Sequence, residues 1–350
     1  MKKLVVIEPN KAALVDYEDR GVEPDEVKIR VNFASPKHGT EIADFNGTTP
    51  FINGKYDPDW QVFTERSDTE PRGIVYGDLP IGNMVVGEII ELGHEVKDYS
   101  IGDLVTVYGA VRETVIVKGT NNYKLRKLPH GMSPSQAVLY DPAQFALGGI
   151  RDAKVCAGDF VAIIGLGAIG QIAVQLAKKA GAATVVAVDP IAKRREVALS
   201  FGADYALDSL SCDVGLEIKK VTNKMGCDQI LETSGNMNAL QSALKGLAYG
   251  GIIAYVAFAK PFPQGLWLGQ EAHFNYGRII FSRASSEPNP DYPRWNRKRI
   301  EETCWGLLVD NYIDASRIID PIVPFSESAE AFTYYVALHP EESIKIGIQF

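Results

Sequence analysis

Cysteine is scarce in this chain: four are present among 350 residues, at Cys156, Cys212, Cys227 and Cys304. Their spacing matches neither a metal-ligand cluster nor a disulfide framework, so we expect a reduced, cytoplasmic compartment and mostly structural cysteines. No apolar run is long enough to span a bilayer. The first residues, 1–7, are too short for a signal peptide and are better interpreted as a strand.

Basic residues are outnumbered by acidic ones, 36 to 44, which leaves a net charge of −8. This balance argues against nucleic acid or an anionic membrane as a partner. Internal repeats and low-complexity tracts are lacking. The hydrophobic share of 46% and the charged share of 23% are ordinary for a globular protein, and the length suffices for two domains.

The most informative motif is a glycine-rich turn between a strand and a helix. The apolar segment 161–164 enters a Gly-x-Gly-x-x-Gly pattern formed by Gly165, Gly167 and Gly170. A helix pattern over 171–179 follows, and a second strand, 184–188, ends at Asp189. These elements in this order predict a dinucleotide-binding βαβ unit. Gly165 allows the tight turn, Gly167 lets the backbone approach a pyrophosphate, and Gly170 permits close packing of the helix.

The start of that helix predicts the phosphate contacts. Backbone N–H groups at Ala168 and Ile169 face the pyrophosphate, which the positive end of the helix dipole favours. Asp189 is suited to accept hydrogen bonds from a ribose diol and to repel a 2′-phosphate, so NAD is predicted rather than NADP. Further candidate cofactor contacts are Ser234, after the third strand, and Arg194. A basic run at 193–195 leaves 2′-phosphate binding open, but we interpret it as the solvated first turn of a helix.

Two regions of different pattern divide the chain. Residues 1–141 alternate short strands with turns, which predicts a β-rich domain, and residues 46–80 form a long loop with several aromatics. Residues 142–283 alternate strands and helices, which predicts a parallel sheet. The predicted strands are 28–33, 84–92, 103–108, 113–117, 229–233, 252–258 and 278–282, and the further helices are 193–201, 214–221, 238–247 and 300–310.

Together these features resemble the medium-chain dehydrogenase/reductase superfamily, which includes zinc-dependent alcohol, sorbitol and threonine dehydrogenases. The segments 87–93 and 102–105 look like its barrel signature, and 323–332 and 342–345 look like its C-terminal end. The resemblance implies a GroES-like catalytic domain (1–141 and 284–350), a Rossmann NAD-binding domain (142–283) and an active site in the cleft between them. It also places Lys345 near the cofactor phosphates.

The chain departs from this family at the catalytic zinc ligands. His38 stands in place of the first cysteine, Asn83 in place of the second-ligand histidine, and Asp141 in place of the third ligand, while the structural zinc loop is absent. Thr40 falls at the hydroxyl that relays the alcohol proton, and Glu41 at an acid that supports the ligands. We therefore predict a zinc-independent member; residual zinc binding through His38, Asp141 and Glu41 is the alternative.

Without a metal, a side chain must take the hydroxyl proton. His38 is the candidate general base, Asp141 would orient its imidazole, and Thr40 would relay the proton or bind the hydroxyl. The competing interpretation is that His38 and Asp141 merely fill the vacated pocket with a hydrogen bond, or that Asp141 only caps a helix.

Aromatic and polar side chains in the long loop and elsewhere favour a polyhydroxylated substrate, a sugar, polyol or cyclitol. The candidate substrate contacts are Tyr56, Trp60, Asn83 and Trp267; structural packing is the alternative for each. The leading hypothesis is an NAD-dependent dehydrogenase acting on a secondary alcohol. The alternatives are a zinc-free quinone or enoyl reductase and a non-catalytic dinucleotide sensor. The apolar segment 276–282 predicts a sheet edge and hence a homodimer or homotetramer.

Overall fold

The structure is a computed structural model that describes residues 1–67, 69–71, 73–258, 261–263 and 265–350. It contains two compact units. The first unit comprises residues 1–128 and 321–350, and the second unit comprises residues 129–320. The second unit thus begins before residue 142 and ends after residue 283, which are the bounds of the domain predicted from the sequence. The reason is that two helices, 140–152 and 297–309, pack against each other within it.

The elements follow one another in a fixed order along the chain. The first unit begins with β1 (Lys2–Glu8), β2 (Lys11–Asp16), β3 (Glu26–Ser35), α1 (His38–Phe45), β4 (Gly54–Asp57), β5 (Val62–Glu65), β6 (Leu79–Pro80), β7 (Met84–Leu92), β8 (Leu104–Tyr108), β9 (Thr114–Lys118) and β10 (Arg126–Lys127). The second unit contains α2 (Pro134–Ala137), α3 (Tyr140–Asp152), β11 (Phe160–Ile164), α4 (Ala168–Lys179), β12 (Thr184–Val188), α5 (Ala192–Ser200), β13 (Tyr205–Leu207), α6 (Val214–Val221), β14 (Cys227–Glu232), α7 (Met237–Gly246), β15 (Leu247–Tyr255), α8 (Glu271–Phe274), β16 (Arg278–Phe281) and α9 (Arg297–Val309). The chain closes with β17 (Ile319–Pro324), α10 (Ser328–Ala331), a π-helical turn (Phe332–Leu338) and β18 (Lys345–Gln349), with short 3-10 turns at Phe325–Glu327 and Pro340–Glu342.

The first unit is built on a β-sheet in the order β10-β8-β7-β3-β18-β17, with β9 also paired to β3. Along β3, Val27, Ile29 and Val31 are buried and alternate with more exposed residues, which is the period-two pattern of a strand with one face on a core. A smaller sheet joins β1, β2 and β6. The predicted GroES-like β-rich domain is confirmed, and β7 has its predicted bounds.

The long loop predicted over 46–80 contains regular structure. The strands β4 and β5 form an antiparallel hairpin in which Tyr56 faces Phe63, with ring centroids 5.6 Å apart. Aromatic cross-strand pairs of this kind stabilise a hairpin without a larger sheet. Positions 68 and 72 of this stretch lie outside the described residues. The helix α1, which carries His38, was also absent from the sequence-based assignment, since its eight residues offer little apolar periodicity.

The second unit is a parallel sheet in the order β13-β12-β11-β14-β15-β16, and helices connect its strands. This is the predicted Rossmann architecture, with β11 and β12 beside each other at the glycine-rich turn. The strand β15 begins five residues earlier than predicted, because Leu247 already pairs with Cys227 across a register shift. The described residues contain no helix that is both long enough and apolar enough to cross a membrane.

Candidate active site

The start of α1 is fixed by hydrogen bonds to the last strand. The backbone N–H of Ile346 donates to Nε2 of His38 at 3.1 Å, and the Ser35 hydroxyl donates to the Ile346 carbonyl at 2.7 Å. The buried ammonium of Lys345 donates to the carbonyl of Pro36. These three bonds hold the segment that leads into α1 against β18, so the C-terminal strand determines where the His38 imidazole lies.

The bond from Ile346 also determines the state of the imidazole. Because Nε2 of His38 accepts a hydrogen bond, the neutral ring carries its proton on Nδ1. A base role for His38 therefore requires the ring to give up this bond. The sequence contained no signal for this partner, since Ile346 lies 308 positions away and contributes only its backbone.

Glu41 joins two backbone segments through its carboxylate. One oxygen accepts the N–H of Lys37 at 2.6 Å and the other accepts the N–H of Gly82 at 2.6 Å. Burial raises the pKa of Glu41 to about 8, although these two N–H donors and the charge of Lys345 favour the ionised form. Glu41 thus holds the residue before His38 and the residue before Asn83.

Asn83 follows directly, and its backbone is closely constrained. Gly82 has φ +144°, and a Cβ there would lie 2.5 Å from the backbone nitrogen of Val111, so glycine is required. The next residue, Met84, pairs with Ser35 of β3. The side-chain nitrogen Nδ2 of Asn83 is buried and has no hydrogen-bond partner among the described residues.

The other two predicted catalytic residues lie in different units. Thr40 is half-buried on α1, next to Glu41. Asp141 belongs to the second unit, where it is 5% exposed and lies in the first turn of α3. A carboxylate in the first turn of a helix is stabilised by the helix dipole, but the N-cap residue of α3 is Leu139 and not Asp141.

The glycine-rich turn of the second unit is packed as its motif predicts. Gly165 has φ +88°, and a Cβ there would meet the backbone nitrogen of Ser234 at 2.7 Å. A Cβ at Gly170 would clash with the carbonyl oxygen of Gly165, whereas a Cβ at Gly167 would meet nothing within 4 Å. Gly165 and Gly170 are therefore required by the fold itself, and Gly167 leaves open space in front of the helix.

That open space lies at the N-terminus of α4. Gly167 is the N-cap residue, and the N–H of Gln171 makes the first intrahelical bond, to the carbonyl of Gly167. The N–H groups of Ala168, Ile169 and Gly170 precede this bond, and such first-turn donors are the ones that bind phosphate oxygens.

Asp189 is bound at the tip of β12. Its carboxylate accepts the N–H of Leu166 at 2.7 Å and the N–H of Ile191 at 2.9 Å, and the residue is 3% exposed. The Arg194 guanidinium lies 3.9 Å away. Carboxylate oxygens have further lone pairs, so Asp189 retains the capacity to accept from a diol. The contact with Leu166 ties the acid directly to the glycine-rich turn.

The basic run beside Asp189 is paired with acidic groups. Arg195 donates to the Asp189 carbonyl at 2.7 Å and lies 3.2 Å from Asp208, while Lys193 lies 2.5 Å from Asp320. These pairs match the interpretation of the run as an ordinary helix start, since α5 begins at Ala192.

A buried acid beside the glycine-rich turn is not among the residues predicted from the sequence. Glu232, at the end of β14, is fully buried and accepts the backbone N–H groups of Ser234 at 2.8 Å and Gly235 at 3.0 Å, together with the Ser234 hydroxyl. Burial raises its pKa, and these hydrogen bonds oppose the rise. Thr233 donates to the Gly165 carbonyl at 2.6 Å. The turn after β14 is thus bound to the glycine-rich turn. In the sequence, the one feature that could have indicated this turn is the acid Glu232 at the end of an apolar strand.

The predicted aromatic substrate contacts are exposed. Trp60 is 80% exposed at the tip of the β4–β5 hairpin, where its backbone N–H donates to the Asp57 carboxylate at 3.0 Å. Tyr56 is half exposed. Trp267 is largely exposed in the second unit, and its backbone N–H donates to Gln241 at 2.9 Å. Tyr56 and Trp60 share one unit with His38 and Asn83, whereas Trp267 belongs to the other.

The residues near His38 do not fit a catalytic zinc ion, which needs three protein ligands and an open position. Nε2 of His38 already accepts a backbone N–H, and no described His, Cys, Asp or Glu completes a set of three ligand atoms with His38 and Glu41. In the described ranges, the only group of three His, Cys, Asp or Glu ligand atoms within 4.8 Å of one another is His339, Glu341 and Glu342, whose two acids are exposed.

Comparisons with known proteins agree with this architecture. A family model described as zinc-binding dehydrogenase matches residues 168–287. The chain is 59% identical over 350 residues to D-guloside 3-dehydrogenase from Escherichia coli (strain K12), covering 100% of both chains. It is 31% identical over 204 residues to sorbitol dehydrogenase from Bacillus subtilis (strain 168), covering 50% of this chain and 58% of that one. The structure of galactitol-1-phosphate dehydrogenase from Escherichia coli shares the fold, with a TM-score of 0.76 at 20% identity over 100% of both chains.

Dehydrogenases of this kind use nicotinamide cofactors, and a putative zinc-binding dehydrogenase from Sinorhizobium meliloti with the same fold is bound to NADP. The full-length similarity to a curated relative, the two folded units and the dinucleotide turn all point to one group. The chain belongs to the zinc-type medium-chain dehydrogenase superfamily, and it is a dehydrogenase that acts on a CH–OH group.

Proposed function

We propose that this dehydrogenase oxidises a secondary alcohol of a sugar, transferring hydride to NAD, without a catalytic zinc ion. The observation that carries the proposal is the 59% identity over the whole chain to D-guloside 3-dehydrogenase. A hexopyranoside oxidised at one ring hydroxyl is therefore the leading substrate class, within the wider range of sugars, polyols and cyclitols. We also propose the cytoplasm as its location.

The choice of NAD rests on Asp189. Its carboxylate is fixed by Leu166 and Ile191 at the end of β12, and a negative charge there repels a 2′-phosphate. The neighbouring cations Arg195 and Lys193 pair with acids, so their charge is already balanced. Gly167, Ala168, Ile169 and Ser234 complete the proposed cofactor contacts, and Lys345 is proposed to act near the phosphates.

We propose a reaction without zinc because the side chains around His38 do not supply three metal ligands. His38 is the proposed acceptor of the hydroxyl proton, and this role requires its ring to leave the Ile346 N–H. Thr40 would relay the proton or bind the hydroxyl, and Glu41 would position both sides of the site. Asp141 is proposed to stabilise the imidazolium.

We further propose a homodimer or a homotetramer in which two copies pair along one sheet edge. The strand β16 lies at the edge of the second unit's sheet. Phe281 on this strand is 80% exposed, and Phe274 and Tyr276 just before it are also largely exposed. An apolar sheet edge of this kind is usually covered by a second strand, and pairing with a second copy about a two-fold axis would cover it.

A substrate panel tests the function. Purified protein is mixed with NAD or NADP and with methyl glycosides of gulose and other hexoses, free sugars, polyols and cyclitols, and reduction is followed by absorbance. We expect reduction with at least one glycoside and a clear preference for NAD. A preference for NADP, or activity with quinones or enones but not with sugars, would contradict the proposal.

A further inference from the structure

We propose that the side-chain amide of Asn83 donates a hydrogen bond to the reacting oxygen of the substrate. This inference rests on the proposed alcohol oxidation. In that reaction the C–H hydride passes to the nicotinamide, the O–H proton passes to His38, and a C=O bond forms. Negative charge develops on the oxygen between these events, and a fixed N–H donor stabilises it.

The first observation is the state of the amide itself. Nδ2 of Asn83 is buried, and no described residue accepts its hydrogens. A buried donor without a partner lowers stability, so native proteins keep few of them and each requires an explanation. An acceptor supplied by a bound ligand satisfies the donor only in the complex.

The second observation is the location of Asn83. The Glu41 carboxylate spans from the N–H of Lys37 to the N–H of Gly82, and His38 and Asn83 are the residues that follow. The pairing of β3 with β7 independently brings the same two segments together. Ser35, shortly before His38, pairs with Met84, which directly follows Asn83. The segment that carries the unpartnered donor is therefore held next to the segment that carries His38, the residue proposed to take the hydroxyl proton.

The third observation is rigidity. The backbone of Asn83 is held on one side by Gly82, whose conformation only glycine adopts easily, and its carbonyl accepts the N–H of Gly109 at 3.1 Å. A donor held in this way needs no rearrangement when charge develops, which is the property of an effective oxyanion site. In a chain without a fitting zinc site, this amide supplies the polarisation of the oxygen that a Lewis acid supplies elsewhere.

The test uses Asn83→Leu, which keeps the number of heavy atoms and the branching at Cγ and removes the donor. We expect the melting temperature of the cofactor-free protein to stay equal or to rise by up to about 4 °C, since no hydrogen bond within the protein is lost. We expect kcat to fall by roughly 100- to 1000-fold, with a smaller change in KM.

Ser328→Ala is the matched control. The Ser328 hydroxyl is also buried and without a partner in the described part of the chain, and it lies in α10, which carries none of the proposed catalytic residues. We expect an equal or slightly higher melting temperature, because here too no hydrogen bond is lost, and an unchanged kcat. Asn83→Asp gives a further readout: its activity relative to wild type should rise as pH falls, because a protonated carboxyl again donates.

Three outcomes would overturn the role of Asn83. Any one of them suffices. They are a kcat of Asn83→Leu within about twofold of wild type, a melting temperature of Asn83→Leu lowered by more than about 5 °C, and an activity of Asn83→Asp relative to wild type that does not change with pH. A wild-type protein that forms no NADH with any glycoside would instead contradict the proposed function, so the two failures are distinguishable.

Discussion

Glu41 accepts the backbone N–H of Gly82 at 2.6 Å, and this bond connects α1 to the segment that leads into β7. The other carboxylate oxygen accepts the N–H of Lys37. A single side chain thus holds both segments from which the proposed catalytic groups His38 and Asn83 project. An acid in this position contributes through the geometry of other residues and has no need to contact the substrate.

Glu41 also makes the stability of the protein depend on pH. Burial raises its pKa from an ordinary 4.5 to about 8, so between these values the folded protein holds a proton that the unfolded chain has released. The contribution of this group to the free energy of unfolding is therefore complete below about pH 4.5 and is lost as pH rises through 8. In Glu41→Gln, denaturant unfolding at a series of pH values should show a flatter dependence over this range. An unaltered pH dependence would show that Glu41 is ionised throughout.

Two glycine substitutions separate folding from cofactor binding. Gly170→Ala places a methyl group against the Gly165 carbonyl and should lower both the melting temperature and NAD affinity. Gly167→Ala meets no protein atom within 4 Å and should leave the melting temperature of the cofactor-free protein nearly unchanged, while NAD affinity falls by about tenfold or more. Calorimetric titration with NAD measures both affinities. Equal NAD affinity in Gly167→Ala and wild type would contradict the predicted approach of the pyrophosphate.

Asp189→Asn tests the origin of cofactor preference. Removing the charge weakens the bond to a ribose diol and the repulsion of a 2′-phosphate, so kcat/KM with NAD should fall by roughly 10- to 100-fold. The ratio of NAD to NADP efficiency should fall further, because NADP is no longer repelled. Asp208→Asn is the control, since Asp208 contacts Arg195 in the same region without lying at the tip of β12. A variant Asp189→Asn that keeps the wild-type ratio would assign the preference to another residue.

Phe281→Glu tests the proposed pairing of two copies. A buried like charge from each copy would face its equivalent across the two-fold axis, so the variant should elute as a monomer in size-exclusion chromatography with light scattering. The control is Trp60→Glu, an equally exposed aromatic in the hairpin of the first unit, which should leave the assembly unchanged. Wild-type protein that is monomeric at micromolar concentration would contradict the proposal outright.

The fold was largely predictable because its signals are local. The glycine turn, the buried parallel strands and the acid at Asp189 each follow from a short segment with a strong physical requirement. The strand β7 and the helix α6 have the bounds that their patterns indicated. Alternation of apolar and polar residues, which is read from a short segment, also identifies β3 to within two residues at each end.

The candidate catalytic region was less predictable because its contacts join distant parts of the chain. Nothing near His38 in the sequence indicates that the N–H of Ile346 will bond to its imidazole. Nothing near Glu41 indicates that the N–H of Gly82 will bond to its carboxylate. Both partners contribute backbone N–H groups, which every residue except proline has. The hairpin of β4 and β5 was missed for a different reason, since a pair of four-residue strands is too short for a periodic pattern.

The central claim is that this chain oxidises a sugar hydroxyl with NAD and without zinc. The most direct measurement is the rate of NADH formation with a methyl D-guloside, before and after exhaustive chelation, with metal analysis of the same samples. We expect the same rate of NADH formation before and after chelation, and much less than one zinc ion per subunit in both samples. A rate that disappears on chelation and returns with added zinc would contradict it.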